Sequence, residues 1–346
     1  MHPSLDESPV PTAPVPGPPL FGPVSQPTLD STTATTFPYH RAAHVDLRPA
    51  RWWTPLTTFG ATALLYLAFL APVAVVAVAY AVLVPYRPGL PMPTDDFSDP
   101  LNPLDWAIGL GLIALLLPAV VLGVRWGGRR RGTIHSVTGR FRWGLVGSAV
   151  PLVVPLYGVV TVGGFLLRPP SDLAAPAVTP ALLLSLGCIL LLGPLQCAAE
   201  EYAFRGLPQQ MLGTWLRSPV WGIVLPVPFF VVGHGYDGVG QIGIAAFALC
   251  TGFLVWKTGG LELAVLVHVA NNLFLFLLAP FSASSMEQGA IEPLVLLVDL
   301  GLLGSATVVL TVWFSRREGL RLREPFCGRV PAAGAGSSPG HSSGTP

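Results

Sequence analysis

Long apolar runs dominate this sequence and constrain its fold more than any other feature. Each run has close to the ~20 residues that a helix needs to cross the hydrocarbon layer of a bilayer. The runs cover about 60–84, 105–124, 143–167, 180–199, 219–234, 239–257, 261–279 and 293–314, and the fifth is short and interrupted by proline. The sequence therefore predicts an all-α fold, a polytopic transmembrane bundle of about eight spans.

The composition agrees with a membrane protein. Hydrophobic residues make up 51% of the chain and charged residues only 11%, whereas soluble domains have about 25% charged residues. The formal net charge is +1, so nothing indicates a nucleic-acid partner. We expect a multi-pass integral protein of the cell (plasma) membrane, with the lipid bilayer as its surroundings.

Two polar tails flank the apolar region. Residues 1–50 are rich in Pro, Ser and Thr, and residues 326–346 are rich in Gly, Ser and Pro. Such compositions bury too little apolar surface to fold alone, so both tails are predicted to be disordered. The transmembrane helical domain is then 51–325.

Arginine predicts the orientation of the spans. Cytosolic loops of membrane proteins carry an excess of Lys and Arg. Arginines precede the first run, fill the loop after the second and follow the eighth, whereas acidic residues occupy the opposite loops. Both termini are therefore expected in the cytosol, and eight spans agree with that parity.

Ionisable side chains inside the apolar runs are the candidate functional residues. Placing one at the bilayer centre costs about 2.5–3.5 kcal/mol on insertion scales. Glu200, Glu201 and Arg205 end the fourth run. In a helix Glu201 lies over Arg205 and can pair with it, whereas Glu200 points about 100° away. One carboxylate is thus predicted to be structural and the other chemical.

Two histidines complete the candidate site. His268 and Asn272 share one helix face, and Phe230 and His234 repeat the same i, i+4 spacing. An imidazole and an amide together can stabilise an oxyanion, and a carboxylate and an imidazole can deprotonate a water. Zinc bound by Glu200, His234 and His268 is an alternative, because catalytic zinc sites use three protein ligands.

Other acidic residues and one distance complete these expectations. Asp299 is predicted to make a helix-packing contact, and Glu262 to be an N-terminal helix charge.

Simple antiparallel crossings would separate Glu200 from His234 by ~15–20 Å along the membrane normal. We therefore expect the helix that carries Glu200 to be long and tilted, with a cavity open to water.

Three motifs in this order resemble a known family. Glu200–Glu201–xxx–Arg205 is similar to the EExxxR motif of the CPBP family, the CAAX-protease and bacteriocin-processing (Abi) proteins, which are related to type II CAAX prenyl endopeptidases. Phe230 to His234 resembles its FxxxH motif, and His268 to Asn272 its HxxxN motif. The resemblance covers about 180–280.

The resemblance implies an intramembrane endopeptidase. Glu200 and His234 would activate the water, and His268 and Asn272 would stabilise the oxyanion. Glu201, Arg205 and, by its place in the second motif, Phe230 would be supporting residues. The mechanism would be glutamate-dependent or of the metallo type, with no cofactor certain. The substrate would be a membrane-associated protein or peptide, prenylated or similar by kinship.

Two other classes of function compete with a protease. A non-catalytic immunity factor or scaffold could bind a partner through the same cavity. A transporter could use the ionisable residues as a proton relay, but it would be expected to contain inverted repeats. The sequence contains no second copy of the glutamate or histidine motifs.

Overall fold

A computed structural model describes residues 35–45, 51–83, 92–128, 132–286 and 289–330. Most of these residues are helical. The α-helices are α1 (Thr54–Leu83), α2 (Pro103–Ala114), α3 (Leu116–Trp126), α4 (Trp143–Leu167), α5 (Pro180–Glu201), α6 (Leu207–Trp215), α7 (Pro219–Val224), α8 (Val227–Val232), α9 (Gly238–Thr258), α10 (Glu262–Leu278) and α11 (Pro293–Glu318). Strands β1 (Thr35–Pro38) and β2 (Cys327–Val330) and short 3-10 segments complete the fold.

Within this described part, seven helical segments are long and apolar enough to cross a membrane. They confirm the predicted class, a polytopic helical membrane bundle. The predicted fifth span differs from the others, because Pro219–Val232 is only a short apolar pair, α7 and α8. Pro226 and Pro228 lie at the break, and proline has no amide hydrogen to continue a helix.

Glu200, Glu201 and Arg205 lie on the longest helical segment. Helices α5 and α6 form one continuous segment, Pro180–Trp215, of 36 residues. A π-helical turn, Tyr202–Gly206, joins them and contains Arg205. At 1.5 Å per residue the segment is ~54 Å long, far more than the ~30 Å hydrocarbon layer. It must tilt, protrude, or do both, and its length agrees with the expectation from the sequence.

The core of the bundle is centred on α10. This helix packs against α4, α5 and α9, and its buried side chains include Leu263, Val267 and Ala270. By contrast, α1 exposes a succession of aliphatic side chains such as Leu64, Val75 and Val78. An apolar exposed face suits a helix that contacts lipid, so the polar chemistry is concentrated around α10.

Parts of both predicted tails are folded, which corrects the domain boundaries expected from composition. Strand β1 pairs antiparallel with β2, with Thr36 opposite Arg329. A 3-10 segment, Tyr39–Val45, follows β1, and Tyr39 is fully buried in it. Composition did not predict this order, because the pairing partners are almost 300 residues apart in sequence. The remaining tail residues, 1–34, 46–50 and 331–346, lie outside the described residues.

Candidate functional site

Glu201 is the buried anchor of the site. Its side chain has no exposed surface and lies 3.4 Å from the Arg205 Nε across one helical turn. This is the ion pair that the i, i+4 spacing predicts. The other carboxylate oxygen accepts a hydrogen bond from His268 Nδ1 at 2.8 Å. Glu201 therefore connects its own helix to α10 as well as to Arg205.

Arg205 is held on several sides in a dry environment. Its Nε donates to the Thr251 hydroxyl at 2.9 Å, and its guanidinium lies 3.9 Å from the Phe230 ring centroid and 5.6 Å from that of Phe247. Arginine stacks favourably on aromatic faces when both are desolvated. Its side chain is only 2% exposed, so it supports the site from inside the protein.

Glu200 and His268 face each other. Glu200 Oε2 lies 3.5 Å from His268 Nε2, and the Glu200 side chain remains 11% exposed. The Glu201 carboxylate accepts the hydrogen on His268 Nδ1, which leaves Nε2 directed at Glu200. The Phe247 ring contacts the imidazole edge-on at 4.8 Å. The two neighbouring glutamates thus hold the two nitrogens of one histidine.

His234 and Asn272 flank this group without joining its hydrogen bonds. His234 Nδ1 bonds to the Phe230 carbonyl at 2.8 Å, and its ring lies 4.7 Å from the Phe230 ring. Asn272 lies one turn beyond His268 and accepts from the Asn271 amide at 3.0 Å. In the described part of the chain, His234 makes no hydrogen bond to Glu200 or His268.

The side chains do not form the alternative zinc site. Among residues 35–45, 51–83, 92–128, 132–286 and 289–330, no group of three His, Cys, Asp or Glu side chains is placed to hold a metal ion. Glu200, His234 and His268 therefore do not converge as a three-ligand set. No step of the chemistry below is derived through a metal.

Sequence reasoning missed several partners of the site. Thr251 and Phe247 contact Arg205, but both come from α9 and no motif marked them. His135 Nδ1 lies 2.5 Å from the hydroxyl of Tyr202, the residue after Glu201. His135 lies in a loop near the predicted cytosolic face, and nothing in the sequence marks it as a partner of the site. These contacts join distant parts of the sequence, which spacing within one helix does not reveal.

Two acidic residues outside the motifs have distinct surroundings. Glu262 is the first residue of α10, as expected, and is also fully buried against Arg142 at 2.8 Å. Both of its oxygens accept from the Arg142 guanidinium, at 2.8 Å each. Asp299 lies on α11 and keeps an exposed surface, and its expected helix-packing contact stays a prediction.

Residues 180–274 match the family model described as type II CAAX prenyl endopeptidase Rce1-like. This segment is therefore similar to that family. The match confirms the resemblance that the three motifs predicted, and it covers Glu200, His234, His268 and Asn272. It indicates a CAAX-protease-like function within the membrane, and a membrane endopeptidase.

One relative agrees with this assignment but has no function in its name. The chain is 27% identical over 210 residues to the uncharacterized protein YyaK of Bacillus subtilis (strain 168). The match covers 58% of this chain and 69% of that protein. No solved structure matches the chain. Together with the seven long apolar helices, the Rce1-like segment identifies a multi-pass integral membrane protein.

Proposed function

We propose that this protein is an intramembrane endopeptidase in which Glu200 activates the attacking water. The observation that carries the proposal is the unequal state of the two adjacent glutamates. Glu201 is fully buried and engaged by His268 and Arg205. Glu200 is partly exposed and faces His268 Nε2 at 3.5 Å. A general base must reach both water and substrate, and the 11% exposure of the Glu200 side chain supports this role.

The proposed reaction is a hydrolysis with one base. Glu200 takes a proton from a water, and the water oxygen forms a bond to the carbonyl carbon of the scissile peptide. The carbon–nitrogen bond then breaks, and the amine leaves with the proton that Glu200 received. His234, whose ring packs on Phe230 beside the Arg205 guanidinium, is proposed to hold the water with Glu200 before attack.

Helix α10 is proposed to stabilise the negative charge that develops on the peptide oxygen. His268 and Asn272 lie one turn apart on one face of this helix, so the Asn272 amide and the His268 Nε2, when this nitrogen carries a hydrogen, can converge on a single oxygen. Glu201 fixes the orientation of His268 through its Nδ1, and Arg205 and Phe230 hold Glu201 and the helices around it. Fixed donors of this kind act most strongly where water is excluded.

The proposed substrate is a membrane-associated protein or peptide. Prenylation of that substrate is inferred only from kinship with CAAX prenyl endopeptidases. The bilayer would present such a substrate to the cavity laterally or from the surface, where a soluble protease has no access.

The test uses Glu200→Gln, which keeps the shape of the side chain and removes the base. Purified full-length protein in lipid nanodiscs would be incubated with a library of membrane-protein peptides, and new termini would be identified by mass spectrometry. Loss of a general base reduces turnover ~10²–10⁴-fold, so cleavage should disappear. Glu292→Gln is the matched control, because Glu292 is exposed, with 74% of its side chain accessible.

The opposite result would favour the non-catalytic alternative. Cleavage by Glu200→Gln at the wild-type rate would exclude this residue as the base. If wild-type protein releases no new termini but Glu200→Gln retains the cellular phenotype, a scaffold or immunity role explains the cavity better.

A further inference from the structure

We propose that Thr35–Val45, hereafter the strap, holds Glu200 and Glu201 in position, and that Tyr39 is its positioning residue. The inference rests on the proposed function in so far as Glu200 is taken as the base. The strap lies outside the 180–274 segment that matches the family, and its closest approach to the motifs described above is at Gly206, beside Arg205. Its effect would therefore be transmitted through α6 and the π-turn.

Side chains of the strap bind the backbone carbonyls at the end of α6. Arg41 Nη1 donates to Gly213 O at 2.7 Å and to Leu216 O at 3.4 Å. His44 Nε2 lies 3.3 Å from the same Gly213 oxygen, and His40 Nε2 lies 3.0 Å from Arg217 O. The last carbonyls of a helix have no partner within it, and a cation near them is favourable. The strap therefore caps α6.

Tyr39 connects the strap to the π-turn itself. It has no exposed surface, and its hydroxyl donates to Ile134 O at 2.5 Å. A Cβ added at Gly206, the residue after Arg205, would lie 3.1 Å from this hydroxyl oxygen. Tyr39 thus packs against the glycine that ends the turn carrying Arg205, one side chain away from the Glu201 ion pair.

The contacts of the strap matter for the proposed reaction because they act on the π-turn, which joins α5 to α6. A π-turn contains one residue more than an α-helical turn and is less stable than regular helix. Its conversion to α-helix would change the rotation of α6 relative to α5 by about 100°. The strap fixes α6 at its far end, and strand β1 fixes the strap to β2. The contacts of the strap with α6 and of β1 with β2 together keep the turn in its π-helical conformation, which directs Glu200 and Glu201 toward α10.

Gly213→Ala tests the strap with a single methyl group. The added Cβ would lie 1.7 Å from His40 O, so the backbone of the strap must move away. Alanine favours helix over glycine by ~1 kcal/mol, so α6 itself is not weakened. Gly187→Ala is the matched control, since it makes the same exchange in α5 with nothing within 4 Å.

Two measurements on full-length protein in nanodiscs decide the matter. Hydrogen–deuterium exchange is expected to rise about tenfold in peptides covering 35–45 and 200–212 of Gly213→Ala, and to stay at the wild-type level in Gly187→Ala. With the peptide library described above, kcat should fall about tenfold and KM should change little, because the substrate cavity itself is untouched. Tyr39→Phe should reproduce the change at 200–212 in weaker form.

The outcomes separate this inference from the proposed function. Faster exchange in the strap with unchanged exchange at 200–212 would overturn the positioning role, and so would unchanged exchange in the strap itself. If neither wild-type protein nor any variant cleaves a peptide, the proposed function fails, and the exchange at 200–212 alone still decides whether the strap positions that segment.

Discussion

Glu200 and Glu201 have different surroundings because neighbouring side chains on a helix diverge by about 100°. One of them points to Arg205 and His268. The other points to the remaining nitrogen of that histidine, and 11% of its side chain stays exposed. The same two residue types in sequence thus supply a structural ion pair and a group available for chemistry.

Substitution of the two glutamates is expected to separate stability from activity. Glu201→Gln leaves the buried Arg205 charge without its carboxylate, and removal of one partner from a buried pair costs ~3–5 kcal/mol. Glu200→Gln should change the free energy of unfolding by less than about 1 kcal/mol, because no buried cation depends on Glu200 alone. Reversible unfolding in mixed detergent micelles measures both. Equal losses of stability would contradict this division of roles.

Local spacing was sufficient for one part of the site and insufficient for another. The Glu201–Arg205 pair follows from i, i+4 geometry within one helix, and the structure contains it. The bond from His268 to Glu201 crosses between α10 and α5. Nothing in either motif specifies which nitrogen meets which carboxylate, because that depends on how two helices pack. The catalytic roles of Glu200, His234, His268 and Asn272 stay predictions.

At the scale of elements, the loop 132–142 connects the site to the membrane surface. Leu261 N donates to His135 O at 3.0 Å, and Val137 N donates to Gly259 O at 2.7 Å. Arg142 binds Glu262 with two guanidinium nitrogens. The loop is thereby fastened to the start of α10, and its histidine contacts Tyr202 in the π-turn. Sequence analysis treated this region only as a basic loop, because its partners lie on α5 and α10.

The His135 contact predicts a pH dependence of stability. Burial lowers the pKa of His135 below its ordinary value of 6.5, against an opposing contribution from Glu262. A lowered pKa means that the folded state binds fewer protons here than the unfolded chain. The stabilising contribution is therefore complete above pH 6.5 and is lost as the pH falls below it.

His135→Gln removes the titrating group and should flatten this dependence. The free energy of unfolding would be measured between pH 5 and pH 8 for both proteins. Wild-type protein should lose stability toward pH 5 more steeply than the variant. His40, whose pKa burial also lowers, is present in both proteins and cancels in the comparison. Parallel curves for the two proteins would show that His135 does not titrate as inferred.

At the scale of the whole molecule, the contacts between the chain ends determine how often the chain crosses the bilayer. The strap packs on the end of α6 near Gly213, and β1 pairs with β2. Phe326 N, just before β2, donates to Lys257 O at the end of α9. The ends of α6 and α9 therefore lie on the same side of the membrane. Because α9 is long and apolar enough to span the bilayer, we expect its first residue, Gly238, to lie on the other side.

The chain between Trp215 and Gly238 must then cross the bilayer, although its helices are short. Pro219–Val232 is 14 residues, or ~21 Å of helix, against a hydrocarbon layer of ~30 Å. Non-helical backbone completes the distance, including His234, whose carbonyl accepts from Gln241 Nε2 at 2.6 Å. Irregular backbone at membrane depth is tolerated where it is buried or lines a hydrated cavity. Such a broken crossing is compatible with the role proposed for His234, which is to hold the attacking water.

Cysteine labelling tests this crossing and the predicted orientation together. In a chain whose four native cysteines are replaced, Arg217→Cys and Gly238→Cys place single thiols at exposed positions on either side of α7 and α8. Since arginine content predicts cytosolic termini, a membrane-impermeant maleimide should label Gly238→Cys in intact cells. It should label Arg217→Cys only in inverted vesicles. Labelling of both from one side would mean that α7 and α8 enter and leave on the same face, which the contact between β2 and α9 does not permit if α9 spans the bilayer.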